Sequence, residues 1–261
     1  LREGRITHGD LGLWSDDHVA PLKRITDFIR AQGAVPAVQL GHAGRKGSMQ
    51  RPWEGNGPLG PDQFARGETT WDIVSAVAKP ISEGFITPAA LDAAGMAAIV
   101  EGFATGARRA RAAGFDAVEV HCAHGYLLHQ FLSPLSNTRN DAFGGDLAGR
   151  MRFPLQVIEA VRAAWPDNLP VFVRISAVDG ADGGWTMEDS LAFARAMKPL
   201  GVDVVDCSSG GIGGSATGSK RIPRGYGFQL PYAAEIKRDV GLATMAVGLI
   251  IGPHQAEAAL E

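Results

Sequence analysis

Residues 118–137 read VEVHCAHGYLLHQFLSPLSN and bring three polar rings to the place where a predicted strand ends. The overlapping run 116–121 (DAVEVH) has the alternating, β-branched character of a strand, and a glycine a few residues later favours a turn. His121, His124 and Tyr126 therefore lie together just where this strand ends. Such a group can ligate a metal, hold a substrate or fill a packed turn, and the rest of the chain must distinguish these roles.

Four other short apolar runs have the character of parallel strands covered on both faces. These strand candidates are 35–41 (VPAVQLG), 170–176 (PVFVRIS), 202–208 (VDVVDCS) and 243–249 (ATMAVGL). Helical patterns alternate with the strands at 17–32, 92–113, 147–165, 187–200 and 232–240, and a further helix is predicted to begin near Pro253. Strict alternation of strands and helices predicts a parallel α/β sheet.

Two features favour a (β/α)8 TIM barrel over an open, doubly wound sheet. No Gly-x-Gly-x-x-Gly turn follows a predicted strand and opens a helix, which weakens a dinucleotide-binding fold. Polar residues also end several different strands, as sites of barrels require: Gln39, His42, His121, Arg174 and Ser208. We therefore predict a single partial barrel domain over residues 1–261, with a lid at the long irregular segment 44–82.

Composition excludes several other classes of protein. The net charge is −3 and no basic block is present, which disfavours nucleic acid and membrane surfaces as partners. No apolar run reaches the roughly 18 residues of a membrane-spanning helix. Cys122 and Cys207 lie in apolar runs and are expected to be reduced thiols of a cytoplasmic protein.

The paired histidines allow three interpretations. His-x-x-His suits zinc, but a third ligand at a familiar spacing is missing, so zinc is the less favoured alternative. Packed, satisfied rings are common for a lone histidine, but here two histidines and a tyrosine occur together. Two neutral imidazoles can instead hold one carbonyl or phenolate oxygen, with Tyr126 as a proton donor. Reduction of a double bond beside that carbonyl would require a hydride-carrying cofactor.

The sequence also resembles the Old Yellow Enzyme family of FMN-dependent ene-reductases. HCAHGYLLHQFLSPLSN followed by RNDAFGGDLAGRMRF is similar to the most specific region of that family. Further similar stretches are EGRITHGDLGLW (3–14), VQLGHAGRKGS (38–48), FVRIS (172–176) and VDCSSGG (205–211). The resemblance covers nearly the whole chain, and the His-x-x-His form resembles the branch of thermophilic-like and xenobiotic reductases.

The resemblance implies how the site residues act. FMN would lie at the barrel mouth and take electrons from NADH or NADPH to reduce activated alkenes. His121 and His124 would bind the electron-withdrawing group of the substrate, and Tyr126 would protonate its α-carbon. Gln39, Arg174, His121 and Gly248 would contact the cofactor. We expect Arg45 and Lys46 to be solvated, and His42 and His129 to be structural.

Compared with the family, the five visible strands resemble its third to seventh. The expectation is an internal fragment of a longer protein whose full-length form is a homo-oligomer, either dimer or tetramer. Two cysteines far apart disfavour the iron–sulfur dienoyl-CoA reductases. A zinc-dependent barrel hydrolase and a non-catalytic barrel fragment remain alternatives.

Overall fold

Five parallel strands form the central sheet of the protein, whose computed structural model describes residues 1–213 and 222–260. The elements in chain order are α1 (Val19–Ala31), β1 (Ala37–Leu40), α2 (Pro61–Ala65), β2 (Val74–Ser75), β3 (Ala89–Ala90), α3 (Ala93–Ala112), β4 (Ala117–Cys122), α4 (Leu127–Leu132), α5 (Leu147–Ala164), β5 (Val171–Ser176), α6 (Met187–Met197), β6 (Val204–Ser208), α7 (Leu230–Val240), β7 (Ala243–Ala246) and α8 (Pro253–Ala258). Short 3-10 turns occur at Arg2–Gly4, Asp16–His18, Gly44–Lys46, Pro52–Glu54 and Lys198–Leu200.

The sheet runs in the order β1-β4-β5-β6-β7, with every neighbouring pair parallel. All five predicted strands are thus confirmed, in the alternating arrangement that the sequence indicated. The register sets Gln39 beside Glu119, and it sets Arg174 between His121 and Asp206. A second, two-stranded pair of β2 and β3 was not predicted, because two residues are too few to give a sequence pattern.

The two faces of the sheet differ in chemistry because side chains alternate along each strand. One face is apolar and fully buried: Val118, Val120, Cys122, Val171, Val173, Val205 and Cys207. These residues belong to one core cluster with Phe103, Phe153, Val157, Phe193 and Met197 of α3, α5 and α6. The opposite face carries Glu119, His121, Arg174, Asp206 and Ser208. The helix-covered face therefore provides the stability, and the polar face carries the candidate site residues.

Local sequence explains where the helices begin and end. Thr186 caps α6, as predicted: its Oγ1 accepts a hydrogen bond from Asp189 N, and Asp189 Oδ2 accepts one from Thr186 N. Asp92 caps α3 in the same way by accepting from Gly95 N. Gly241 follows α7 with φ 68°, a left-handed conformation that ends helices. No helix of the described residues is long and apolar enough to cross a membrane.

The segment 44–82 has more structure than the predicted irregular loop. It contains α2, β2 and two of the 3-10 turns. Arg51 Nη1 lies 2.6 Å from Glu68 Oε1, which connects the two ends of its central part. Its role as a lid stays a prediction.

Candidate active site

The chain makes an unusual turn directly after β4. His124 has φ 59° and Gly125 has φ 71°, so two consecutive residues adopt the left-handed conformation. A positive φ is uncommon for a residue other than glycine and is often found at functional sites. The turn brings the predicted trio together: the His121 ring centroid lies 5.1 Å from that of His124 and 5.1 Å from that of Tyr126.

Side chains from three other parts of the fold hold the backbone of this turn. Ser176 Oγ at the end of β5 accepts a hydrogen bond from His124 N at 2.9 Å. Lys46 Nζ donates to His124 O at 2.7 Å, and Gln130 Nε2 donates to Gly125 O at 2.7 Å. The strained conformation is thus supported from the loop after β1, from β5 and from α4.

The two histidines of the trio have different surroundings. His124 Nε2 is hydrogen-bonded to Ser208 Oγ at 2.6 Å, and the neighbouring Ser209 Oγ donates to Gln229 Oε1 at 2.6 Å. His121 Nδ1 is buried and has no hydrogen-bond partner among the described residues. Within the described part of the chain, Nδ1 of His121 is thus left unpaired, whereas a ligand oxygen on the Nε2 side of His124 would have to share or replace Ser208.

Burial sets the protonation of the trio. It lowers the pKa of His124 to about 3 and, together with the neighbouring His124 and Arg174, it lowers the pKa of His121 well below its usual value. It raises the pKa of the Tyr126 phenol. Two neutral imidazoles and a protonated phenol therefore lie together at neutral pH, as hydrogen-bond donation to a carbonyl and proton transfer require.

A ladder of polar side chains lies on the same face of the sheet. Arg174 Nε is 3.1 Å from Asp206 Oδ2, and Gln39 Nε2 donates to Glu119 Oε2 at 2.5 Å. Burial, with a further contribution from Glu119, raises the pKa of Asp206 to about 6 despite the opposing effect of Arg174. The Arg174 side chain remains 27% exposed and pairs electrostatically with Asp206, so its guanidinium is still accessible to a ligand.

Gly248 follows β7 with φ 110°, so the structure explains why glycine is needed there. A Cβ at this position would lie 2.9 Å from Phe228 Cε1 and 2.9 Å from Gln229 Nε2. Its predicted contact with a phosphate group stays a prediction.

The expectation that Arg45 and Lys46 are solvated is wrong. Both are buried: Arg45 Nη2 donates to Ile212 O at 3.0 Å, and Lys46 Nζ donates to His124 O and to Gly211 O. Burial lowers the pKa of Lys46 to about 8. Sequence reasoning missed these partners because they lie 78 to 167 residues away in the chain.

A cavity of about 370 Å³ lies beside the turn. Its lining includes Lys46, His124, Tyr126, Ser208 and Gln229. This size lies within the range of small-molecule sites. Across the residues that the structure describes, no group of three or more His, Cys, Asp or Glu side chains is placed to hold a metal ion.

Replacement of Lys46 by methionine tests how strongly the turn depends on this contact. The change leaves two backbone carbonyls without their donor, so we expect the free energy of unfolding to fall by about 2 kcal/mol. Lys198→Met is the matched control, since Lys198 Nζ donates to Val240 O at 2.8 Å at the end of α7. Urea unfolding should show a loss in both variants, but only Lys46→Met should weaken ligand binding at the trio. Equal ligand binding by wild type and Lys46→Met would contradict the role assigned to Lys46.

Comparisons with known proteins show which family the chain belongs to. Residues 2–261 match the family described as the NADH:flavin oxidoreductase / NADH oxidase family. An NADPH dehydrogenase of Geobacillus sp. (strain WCH70) is 41% identical over 255 residues, which are 98% of this chain and 67% of the relative. An NADPH dehydrogenase of Bacillus subtilis (strain 168) is 39% identical over 259 residues, 99% of this chain and 69% of the relative.

Solved structures show the same fold. The old yellow enzyme homologue from Zymomonas mobilis has a TM-score of 0.72 at 23% identity, over 95% of this chain and 66% of its own. Morphinone reductase in complex with tetrahydroNAD has a TM-score of 0.71 at 25% identity, over 95% of this chain and 65% of its own. These similarities confirm the predicted TIM-barrel class and the predicted resemblance to the Old Yellow Enzyme family.

Proposed function

Because this chain belongs to the NADH:flavin oxidoreductase / NADH oxidase family, we propose that His121, His124 and Tyr126 serve the reduction of activated carbon–carbon double bonds. Family membership makes the chain an FMN-dependent oxidoreductase with NADH or NADPH as reductant. The proposed substrates are α,β-unsaturated carbonyl compounds, maleimides, quinones and nitro compounds. The observation that carries the proposal is the convergence of two neutral imidazoles and a phenol after β4. The zinc hydrolase alternative is not favoured, because the family is one of flavin enzymes.

The polar face of the sheet offers groups that suit the cofactor. Arg174 is held through Nε by Asp206, and its remaining guanidinium nitrogens would place a fixed positive charge beside the pyrimidine end of the flavin. His121 Nδ1 is a buried polar atom that no described residue pairs, as expected beside a polar ligand. Gln39 would donate to the pyrimidine edge in place of Glu119, and Gly248 would admit the phosphate. When bound, FMN accepts electrons from NAD(P)H and delivers hydride to the β-carbon of the substrate.

The trio would then act on the substrate. His121 would donate an N–H to its carbonyl oxygen, and His124 would add a second donor from the place that its contact with Ser208 fixes. The raised pKa of Tyr126 keeps its proton on Oη until the α-carbon needs it. With hydride added to the β-carbon and a proton to the α-carbon, the double bond has gained the equivalent of one H2 molecule.

Location and assembly belong to the same proposal. Cys122 and Cys207 are buried free thiols, and burial raises the pKa of Cys207 to about 12, so both suit a reducing cytoplasm. We propose a cytoplasmic homo-oligomer, dimer or tetramer, that acts on small molecules. Light scattering of the FMN-loaded protein tests this, and a strictly monomeric active species would contradict it.

The test is the visible absorption of the purified chain after FMN is added and the excess removed. Retained flavin bands that shift with p-hydroxybenzaldehyde would support both the cofactor and the paired-histidine site. His121→Ala should weaken phenol binding about 10- to 100-fold, because one donor to the phenolate is lost. Tyr126→Phe is the matched control: it should bind the phenol within about threefold of wild type, yet slow alkene reduction about 100-fold.

Other outcomes would contradict the proposal in distinct ways. Flavin retention without alkene reduction by the wild type would support the non-catalytic alternative. Absence of flavin, both in this chain and in a version extended at both ends, together with stoichiometric zinc, would return the histidines to the role of metal ligands.

A further inference from the structure

A buried carboxylate–imidazole pair lies beside the turn and is separate from the trio. Asp179 and His129 are each 1% exposed. His129 Nε2 lies 2.9 Å from Asp179 Oδ1, and His129 Nδ1 accepts a hydrogen bond from Gly125 N at 2.8 Å. Through His129, the carboxylate is therefore connected to the backbone of the residue between His124 and Tyr126.

These contacts determine where the His129 proton lies. A backbone N–H can only donate, so His129 Nδ1 carries no proton and acts as an acceptor towards Gly125. The proton of the neutral ring is then on Nε2, facing Asp179 Oδ1. The two atoms are close but do not form a hydrogen bond, so Asp179 acts on the ring electrostatically.

Asp179 is surrounded by donors that favour its ionised form. Its Oδ2 accepts from Ser133 Oγ at 2.6 Å and from Trp185 N at 2.8 Å. Burial would raise the pKa of Asp179, but the contacts with His129, Ser133 and Trp185 outweigh it and lower the pKa below its usual value. A carboxylate accepts on both oxygens, which an amide of the same shape cannot do.

The turn needs such support because it is strained. A non-glycine residue in the left-handed conformation costs about 1–2 kcal/mol and persists only where neighbouring groups fix it. Ser176 and Lys46 hold the two backbone groups of His124. The N–H of Gly125 is the next group along the chain, and His129 holds it.

We propose that Asp179 and His129 form a positioning pair, in which the carboxylate fixes the Nε2–H tautomer of His129 so that Nδ1 can hold Gly125 N–H and keep the His124–Gly125 turn in its left-handed form. The rings of His124 and Tyr126 are thereby placed at the site. The functional part of this inference rests on the proposed function, because it takes those rings to bind the substrate.

Asp179→Asn separates positioning from simple packing. If the amide oxygen accepts from Trp185 N, the amide NH2 faces His129 Nε2 and drives the ring proton to Nδ1, against Gly125 N–H. If the amide is reversed, its NH2 faces Trp185 N–H instead. In either orientation the amide NH2 faces another N–H donor. At His129 this repulsion can be removed only if the ring proton moves from Nε2 to Nδ1.

A double variant should restore the turn. In Asp179→Asn/His129→Asn, the oxygen of Asn at position 129 takes the place of Nδ1 and accepts from Gly125 N, and no buried charge is left unpaired. Asp203→Asn is the matched control, since Asp203 Oδ2 accepts from a backbone N–H, Val171 N at 2.8 Å, at the start of β5.

The experiment has two readouts on the full 261-residue chain. Long-range ¹H–¹⁵N spectra report the tautomer of His129 in wild type and Asp179→Asn. Titration of the FMN-loaded chain with p-hydroxybenzaldehyde reports binding at the trio. We expect Nε2–H in the wild type, a shift towards Nδ1–H in Asp179→Asn, about tenfold weaker phenol binding there, and recovery to within about threefold in the double variant. Asp203→Asn should match wild type in both readouts.

Three results would overturn the positioning role. The first is a wild-type His129 that carries its proton on Nδ1. This result is measured on the wild-type protein and does not depend on the folding of any variant. The second is an Asp179→Asn variant with unchanged phenol affinity despite a changed tautomer. The third is a double variant that stays as weak as the single one. A wild type that shows the expected tautomer but binds no phenol would instead overturn the proposed function and leave the structural pairing intact.

Discussion

Gly125→Ala is expected to lower the free energy of unfolding by about 3 kcal/mol or more and to abolish phenol binding. Gly125 has φ 71°, and a Cβ there would collide with Gly211 O and lie 3.0 Å from Lys46 Nζ and 3.0 Å from Ile212 Cα. Two of these three neighbours are backbone atoms, which cannot move aside as the end of a flexible side chain can. The cost therefore combines left-handed strain with overpacking.

Gly145→Ala is the matched control for this prediction. Gly145 has φ 72°, almost the same backbone strain, but no described atom lies within 4 Å of a Cβ built there. We expect a loss of only about 1–2 kcal/mol from strain and no change in phenol binding. Urea unfolding followed by tryptophan fluorescence measures both variants, and similar losses in the two would show that close approach at Gly125 is not what requires glycine.

Stability is expected to fall steeply as the pH drops below about 6.5. Burial lowers the pKa values of His42 and His124 to about 3, and that of His121 well below its usual value. The unfolded chain has ordinary histidines with pKa values near 6.5, so between these limits it binds more protons than the folded protein. The stability that neutral histidines provide is therefore complete above pH 6.5 and is lost on acidification.

Asp206 acts in the opposite direction. Its pKa is raised to about 6 in the folded protein, so between about pH 4 and pH 6 the folded form binds one proton more. His42 and His124, opposed by one carboxyl group, leave a net uptake of about one proton on unfolding, and His121 adds to it in the same direction. The expected slope is therefore at least about 1.4 kcal/mol per pH unit between pH 6 and pH 4.5.

His124→Asn tests the assignment of this slope. Asparagine does not titrate, and it tolerates the φ of 59° better than most residues do. The variant should fold and lose one proton of the slope, about 1.4 kcal/mol per pH unit. Urea unfolding at half-unit pH steps from 4.5 to 7.5 measures this. A variant as acid-sensitive as wild type would show that His124 is not among the groups responsible.

The sequence predicted the features that depend on neighbouring residues. The five strands are recognisable because each is a short, mostly apolar run, and the cap at Thr186 needs only Asp189 three residues later. The α4 helix gave no amphipathic pattern, because all six of its residues are buried. Only the family resemblance and the histidines before it, and not its periodicity, distinguish this stretch in the sequence.

The rest depends on contacts between distant parts of the chain. Nothing in the local sequence shows that Lys46 is buried, since lysine is rarely buried without a partner and its partners are two backbone oxygens far along the chain. The same holds for Ser208, which reaches His124 from another strand. The trio could be predicted from one short stretch, whereas the groups that orient it could not.

The long-range supports of the turn also bear on the order of folding. His124 is held by Ser176, Lys46 and Ser208, which are 52, 78 and 84 residues away. Contacts at such separations form slowly, because long loops must close before the contacts are gained. We therefore expect the turn to become ordered only after the strands β5 and β6 and the loop after β1 are in place. In that order of events the geometry of the site is a late product of folding, and a nascent chain would acquire its fold before its chemistry.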